Sequence, residues 1–274
     1  MILAGDVALV TGGGAGIGEA IAHRLARDGA AVLVADLMAE RAERVAVELR
    51  AAGLRAAPFT LDVAEEQQAA AAVAAAEAEF GPLRIAVCNA GITDRVPALE
   101  MSRRDFERIL RTNLTGCFVT AQAAARTMVR HGKGGRIVTT SSVSGQFGGT
   151  GRVAYGASKA GIISLTQVLA MELAQHGILV NCVAPGPTQV ARTAHGPKQR
   201  AAFLNHMALQ RYATPAEIAA GVAFLCSDDA GFVTGHVLNV DGGFAAAGCS
   251  TIRRMGRDRR RVASTKPGRN PGLS

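Results

Sequence analysis

Asp6-Val-Ala-Leu-Val-Thr-Gly-Gly-Gly-Ala-Gly-Ile-Gly18 begins as an apolar run and ends in a cluster of glycines. The valine-rich run up to Thr11 fits a short strand buried on both faces. Beyond the cluster, Ile17, Ile21 and Leu25 recur at helical spacing. Glycines at 12, 16 and 18 permit a tight turn and let a diphosphate approach backbone N–H groups at a helix N-terminus. A glycine cluster by itself marks only a turn. Strand, glycine turn and helix in that order point to a dinucleotide-binding unit.

The next run, Ala31-Val-Leu-Val-Ala-Asp36, reads as a second strand that ends in an acid. At this place in a dinucleotide fold a carboxylate accepts hydrogen bonds from the adenosine ribose and repels a 2′-phosphate. Neither Ala15 nor Leu37 supplies a cation to offset that repulsion, so NAD is expected over NADP. The alternation then continues. A helix is expected over 39–52, a strand over 56–61 ending at Asp62-Val63, and an alanine-rich helix over 64–79 with Val73 and Phe80 inward. Leu83–Cys88 reads as the fourth strand, with Asn89-Ala-Gly91 turning away from its end. Such repeated alternation predicts an α/β fold, a doubly wound parallel sheet with its sites at the strand C-termini.

Residues 102–130 read as one long helix or two joined ones. Asn113 is unfavourable inside a helix, which implies a polar partner in a cleft. Gly135–Ser142 reads as strand five, Ile178–Val183 as strand six and Val237–Gly243 as strand seven. Thr214-Pro-Ala-Glu217 has the cap, the proline and the glutamate of a helix start. Residues 189–213 read as a polar, irregular segment.

Tyr155 and Lys159 stand four residues apart at the head of a further helical pattern, one turn from each other on one face. An ammonium beside a phenol favours the phenolate, which makes a proton donor and acceptor usable near neutral pH. Alone, such a pair on a helix usually only packs and solvates. Its meaning comes from the rest of the chain.

The 274 residues are enough for one large α/β domain, and the chain has 49% hydrophobic residues and no tryptophan. It has no long uninterrupted apolar stretch, and the N-terminus lacks a basic region followed by an apolar core. Neither a membrane span nor secretion is therefore expected. The five cysteines are scattered, odd in number and without a Cys-x-x-Cys, which argues against a disulfide framework or a zinc site and for a reducing cytoplasm. The six histidines show no ligand spacing along the chain, so no metal is expected.

Of the net charge of +8, residues 250–274 carry eight Lys and Arg against Asp258, leaving residues 1–249 nearly neutral. We read 1–249 as the catalytic domain and 250–274 as a basic tail. With few apolar anchors and a Pro/Gly-rich end, the tail is expected to be disordered. Its arginines would support nonspecific contact with nucleic acid. Specific recognition is not expected, since interleaved aromatics and a supporting basic patch are lacking.

Taken together, Thr11-Gly-x-x-x-Gly16-x-Gly18, Asp62, Asn89-Ala-Gly91, Asn113, Ser142, Tyr155-x-x-x-Lys159, Pro185-Gly186 and Asp241-Gly-Gly243 resemble the short-chain dehydrogenase/reductase family in order and spacing over residues 4–245. The resemblance implies a seven-stranded parallel sheet with helices on both faces. It also implies a homotetramer or homodimer built on the helices at 102–130 and 155–175. It assigns Tyr155 as acid/base, Lys159 as its cationic partner and holder of the nicotinamide ribose, Ser142 as hydrogen-bond donor to the substrate oxygen, and Asn113 as anchor of a water. NAD would meet Gly12, Gly14, Gly16, Ile17 and Gly18, with Asp36 and Leu37 at the ribose. Asp62 and Val63 would touch adenine, and Asn89, Ala90 and Gly91 would line the adenosine side. Pro185, Gly186 and Thr188 would lie at the nicotinamide end, Thr188 at the carboxamide. Two departures stand out. Cys88 occupies a position where many members have asparagine, and the chain runs on past Gly248.

The resulting expectation is an NAD-dependent oxidoreductase acting on a secondary alcohol or ketone resembling a polyol, sugar or hydroxy acid. Ser144, Gln146, Phe147, Gln189, Arg192 and His195 are the candidates to line a small-molecule substrate. A reductase of 3-oxoacyl thioesters is the second enzyme reading. Such relatives mostly use NADPH, and Asp36 speaks against that. A dinucleotide sensor or scaffold is the non-enzyme reading. Relatives of that kind usually lose the tyrosine or lysine retained here.

Overall fold

The computed structural model describes residues 2–93, 95–191 and 196–247. Arg192, His195, Cys249 and the basic segment 250–274 lie outside the described residues. Seven strands form one all-parallel sheet in the order β3-β2-β1-β4-β5-β6-β7. They are β1 (Val7–Thr11), β2 (Ala31–Asp36), β3 (Ala56–Thr60), β4 (Ile85–Cys88), β5 (Gly135–Thr140), β6 (Ile178–Pro185) and β7 (Val237–Val240). The chain moves outward through β1, β2 and β3, then returns to lay β4 on the other side of β1. That reversal opens a crevice beyond the strand C-termini, where ligands of open α/β sheets bind.

Period-two alternation along β1 divides the interior in two. Ala8 and Val10 point to a core shared with Ile21 and Leu25 of α1 (Gly16–Arg27), Val45 and Leu49 of α2 (Ala39–Ala51), and Ile218 and Val222 of α8 (Pro215–Cys226). Val7 and Leu9 point the other way, to Val73 and Ala76 of α3 (Glu66–Phe80), Ala121 and Met128 of α5 (Gly116–His131), and Ile162 of α6 (Val153–Leu173). Both faces of the sheet are covered, which explains why β1 is buried at every position. The alanines of α3 lie against those of α5, and small side chains let the two helices approach closely. Val73 is buried as expected, while Phe80 is half-buried under the guanidinium of Arg55, 5.4 Å from its ring centre.

The segment 102–130 is two joined helices, one of the two forms expected, with α4 (Arg103–Leu110) and α5 linked by a π-helical turn at Arg111–Thr115. One segment departs from the sequence reading. Residues 189–213 are not wholly irregular, because α7 (Pro197–Asn205) forms within them. None of its residues is buried, so no apolar stripe reveals it in the sequence. No helix among the described residues is long and apolar enough to cross a membrane.

Candidate active site

The ends of β1 and β4 are tied through Thr11 and Asn89. Thr11 Oγ1 donates to the Val87 carbonyl and accepts from the N–H groups of Asn89 (3.0 Å) and Ala90 (3.2 Å). The Asn89 amide donates back to Thr11 and Gly12 carbonyls at 3.0 and 3.3 Å. Between them runs the glycine turn, with Gly12 and Gly16 at φ of +63° and +58°. A Cβ on Gly18 would lie 1.9 Å from the Gly12 carbonyl oxygen, so the turn and α1 touch backbone to backbone. No side chain caps α1, and its first-turn N–H groups face the crevice end of the sheet. This cradle suits a dinucleotide diphosphate.

At the neighbouring strand end, Asp36 accepts the Gly14 N–H on one carboxylate oxygen and the Met38 N–H on the other, both at 3.0 Å. Leu37 is exposed beside it. Arg41 stands in the same corner, since a Cβ on Gly14 would lie 2.6 Å from its Cβ and 2.9 Å from Asp36 Oδ2. Inspection of Ala15 and Leu37 alone does not bring this cation to light, because Arg41 arrives by one further turn of α2. Asp62 and Val63 follow β3, and Val63 packs so closely on α5 that a Cβ on Gly116 would lie 2.7 Å from its Cγ2.

The second half of the crevice is a cleft of about 360 Å³. Ile17, Asn89, Gly91, Ser142, Ser144, Tyr155, Lys159, Pro185, Gly186 and Thr188 line it. Asn113 sits fully buried in the π turn beside it. Its Oδ1 accepts the Ile92 N–H at 2.8 Å, and its Nδ2 donates to the Ile92 carbonyl and to Ser158 Oγ, both at 3.0 Å. A Cβ on Gly91 would lie 3.2 Å from Asn113 Oδ1 and 3.5 Å from Lys159 Nζ, so these three residues converge. Lys159 is only 4% exposed and donates to the Thr140 carbonyl at 2.7 Å. Its Nζ lies 5.7 Å from the Tyr155 ring centre. Ser142 Oγ accepts the Ser144 N–H at 3.1 Å. Thr188 Oγ1 donates to the Gly186 carbonyl, and a Cβ on Gly186 would meet Asp241 Cα at 2.7 Å.

Three of the residues expected at the substrate stand outside the lining of this cleft. Gln146 turns to Asn239, donating to its Oδ1 at 2.6 Å. Phe147 stacks edge-on with Phe244, ring centres 6.4 Å apart. Gln189 is exposed, with its N–H on the Ala213 carbonyl. None of the three lines the cleft. Thr93, Arg95, Arg152, Val190, Gln199 and Phe203 line it instead. The loop after β4 supplies Thr93 and Arg95, the start of α6 supplies Arg152, the loop after β6 supplies Val190, and α7 supplies Gln199 and Phe203.

Three buried thiols, Cys88, Cys182 and Cys226, are unsuited to nucleophilic chemistry. A hydrogen bond with Cys117 and burial push the Cys88 thiol well up, and burial likewise raises Cys182 and Cys226. Among the described residues, the structure gathers one set of ligand-type groups that linear spacing conceals, Glu19, His23 and Glu48. The guanidinium of Arg44 binds both carboxylates, at 2.9 and 2.7 Å, so this is an ion-pair cluster.

A dinucleotide cradle joined to a serine–tyrosine–lysine cleft on a doubly wound sheet defines a nicotinamide-dependent oxidoreductase class. Residues 12–245 match the family described as Enoyl-(Acyl carrier protein) reductase. The chain is 45% identical over 245 residues to 4-formylbenzenesulfonate dehydrogenase of Comamonas testosteroni, covering 87% of this chain and 97% of the relative. It is 42% identical over 242 residues to cis-4-hydroxycyclohexanecarboxylate dehydrogenase of Sinomonas cyclohexanicum, covering 88% and 96%. Reductases named for 3-oxoacyl-[acyl-carrier-protein] are also among its relatives. The crystal structure of a short-chain type dehydrogenase/reductase from Mycobacterium marinum superposes with a TM-score of 0.86 at 37% identity, over 90% of this chain and 97% of that one. The chain belongs to the short-chain dehydrogenase/reductase family.

Proposed function

We propose that the protein is an NAD-dependent dehydrogenase that interconverts a small secondary alcohol and its ketone. The observation that carries this reading is the convergence of Ser142, Tyr155 and Lys159 on one cleft beside the glycine cradle. When bound, NAD supplies the hydride acceptor. The Tyr155 hydroxyl exchanges the proton with the substrate oxygen, with the Lys159 ammonium 5.7 Å from its ring centre. Ser142 Oγ accepts the Ser144 N–H, and its hydroxyl donates to the substrate oxygen to stabilise developing charge. Asn113 keeps the Gly91–Ile92 backbone and the Tyr155–Lys159 helix in register.

Asp36 supports NAD, since an added 2′-phosphate would approach a carboxylate already fixed by two backbone N–H groups. The relatives named for small ring compounds favour a free small molecule. A 3-oxoacyl thioester reductase is the second reading, favoured by the relatives that bear that name. The assembly would be a cytoplasmic homotetramer built on α5 and α6. Exposed Phe118, Val168 and Met171 on those helices support this, and light scattering tests it. The functional test is a screen of NAD reduction against polyols, aldoses, hydroxy acids and secondary alcohols, with NADPH oxidation by 3-oxoacyl thioesters alongside. The reading expects at least one alcohol to reduce NAD. Turnover confined to the thioester with NADPH would overturn it.

A further inference from the structure

We infer that Phe244 is a positioning residue for the substrate: from the end of β7 it seats α7, and through Phe203 it fixes the outer wall of the cleft. The placement of α7 is the first ground. Gln199 and Phe203 stand four residues apart in this helix, so they fall on one face, and both line the cleft. No residue of α7 is buried, so partly buried contacts must hold that face over the cleft.

The second ground is a cluster of rings centred on Phe244. Its ring centre lies 6.3 Å from that of Phe203, 6.3 Å from that of His206 just beyond α7, and 6.4 Å from that of Phe147 before α6. The ring planes meet at 42°, 65° and 67°, tilted and edge-on arrangements in which aromatic pairs attract. Phe203 also meets Tyr212 edge-on at 6.4 Å. Tyr212 is buried, with the guanidinium of Arg200 from the same helix 4.7 Å from its ring centre. Phe244 is not itself among the described residues that line the cleft, so its influence on a substrate passes through the rings it holds.

The third ground is the anchoring of Phe244 to the sheet. The nearly buried Asp241 carboxylate accepts the Gly243 N–H at 2.9 Å and the Ala245 N–H at 2.8 Å, on either side of Phe244. Gly242 and Gly243 have φ of +64° and +83°, which turns the chain sharply after β7. The Gly242 carbonyl accepts the Leu209 N–H at 3.1 Å, and a Cβ on Gly243 would lie 2.7 Å from Ala208 Cβ. Asp241-Gly-Gly243 is thus a mount that brings Phe244 against the segment following α7.

This inference rests on the dehydrogenase reading for what the cleft binds, but the seat can be measured without turnover, by amide hydrogen exchange on the full chain. Phe244→Ala should speed exchange over residues 197–205 at least about fivefold, as loss of several ring contacts implies, and leave α6 unchanged. Phe244→Tyr keeps the ring and should restore protection. Should Phe244→Ala fail to fold, Phe203→Leu removes a ring from the other side and should show the same local loss. An α7 already unprotected in the wild type, or exchange unaltered by the substitution, overturns the inference. With an alcohol that reduces NAD, Phe244→Ala should raise KM at least about fivefold and keep kcat within about twofold. In a Phe203→Ala background the same change should add little, because residues in contact act non-additively. Additive effects on KM would put Phe244 on another route and overturn the inference as well. Turnover with unaltered exchange would sink the seat and spare the dehydrogenase reading. Lost protection in a protein that oxidises no alcohol would do the reverse.

Discussion

Lys159 Nζ lies 2.7 Å from the Thr140 main-chain oxygen, so the helix that carries Tyr155 is pinned to the end of β5 by the cation beside the phenol. The same strand end supports the helix a second time, through Ser141 Oγ, which donates to the Lys159 carbonyl at 2.7 Å. A nearly buried ammonium is costly unless hydrogen-bonded. Here a backbone carbonyl holds it.

From that arrangement, Tyr155→Phe is expected to lower turnover by at least about 10²-fold, the usual contribution of a general acid or base. NADH binding, followed by fluorescence titration, should be nearly unchanged, because the phenol handles a proton and contributes little to holding the dinucleotide. Lys159→Met should differ by weakening both turnover and NADH binding. A Tyr155→Phe enzyme that retained most of its rate would remove the phenol from the proton step.

Cofactor choice gives a second expectation. The Asp36 carboxylate stands between the Gly14 and Met38 N–H groups with exposed Leu37 beside it. Asp36→Ala combined with Leu37→Arg should shift the NAD to NADP ratio of kcat/KM toward NADP by at least about tenfold, or 1.4 kcal/mol, a modest charge–charge interaction. Arg41 in the same corner should assist the shift. A wild-type enzyme that already favoured NADP would show that Arg41 outweighs Asp36.

The buried amide of Asn113 sets a third. Its three hydrogen bonds reach both backbone groups of Ile92 and the hydroxyl of Ser158. Asn113→Ala would strand the Ile92 N–H and carbonyl, at about 1–3 kcal/mol for each group left unsatisfied. Thermal denaturation should show a clear fall in midpoint, and a variant as stable as wild type would mean that water replaces the amide without penalty.

Asn113 also illustrates how far the sequence could be read. An asparagine within a helical pattern predicts a polar partner, and Ile92 and Ser158 are such partners. Nothing in Leu110–Phe118 announces that a π turn would be used to aim it. The strands were legible because a sheet covered on both faces demands continuous valine, leucine and isoleucine runs, as in β1 and β2. Helix α7 was not, because it buries no side chain and so leaves no period. In the cleft, residues anchored to strand ends or to the Tyr155 helix were recognisable by spacing. Arg95 was not, since its place depends on a glycine at φ +72° more than fifty residues downstream. Gln146 and Phe147 are likewise placed by partners distant in the chain, Asn239 and Phe244.

The start of α8 supplies a pH-dependent expectation. Thr214 Oγ1 accepts the Glu217 N–H, while the Glu217 carboxylate accepts the Thr214 N–H at 2.8 Å and two bonds from Arg211. Those bonds, from Arg211 first and then from the Thr214 backbone, hold the Glu217 carboxyl down at about 2. An unfolded glutamate titrates near ~4.3. A depressed folded value means that ionised Glu217 stabilises the fold at neutral pH, and that this stabilisation drains away as pH falls from about 4 toward about 2. Glu217→Gln should therefore lower the melting midpoint by a constant amount between pH 8 and 6, with the gap to wild type narrowing below pH 4. Because the pair is exposed, added salt should shrink the gap at neutral pH as well. Thr214→Ala removes a hydroxyl that caps the Glu217 N–H and also donates to its carboxylate, so most of its cost of about 1 kcal/mol should persist at low pH, where that of Glu217→Gln fades. Parallel pH dependences for the two variants would show that the Arg211–Glu217 charge contributes nothing to the cap.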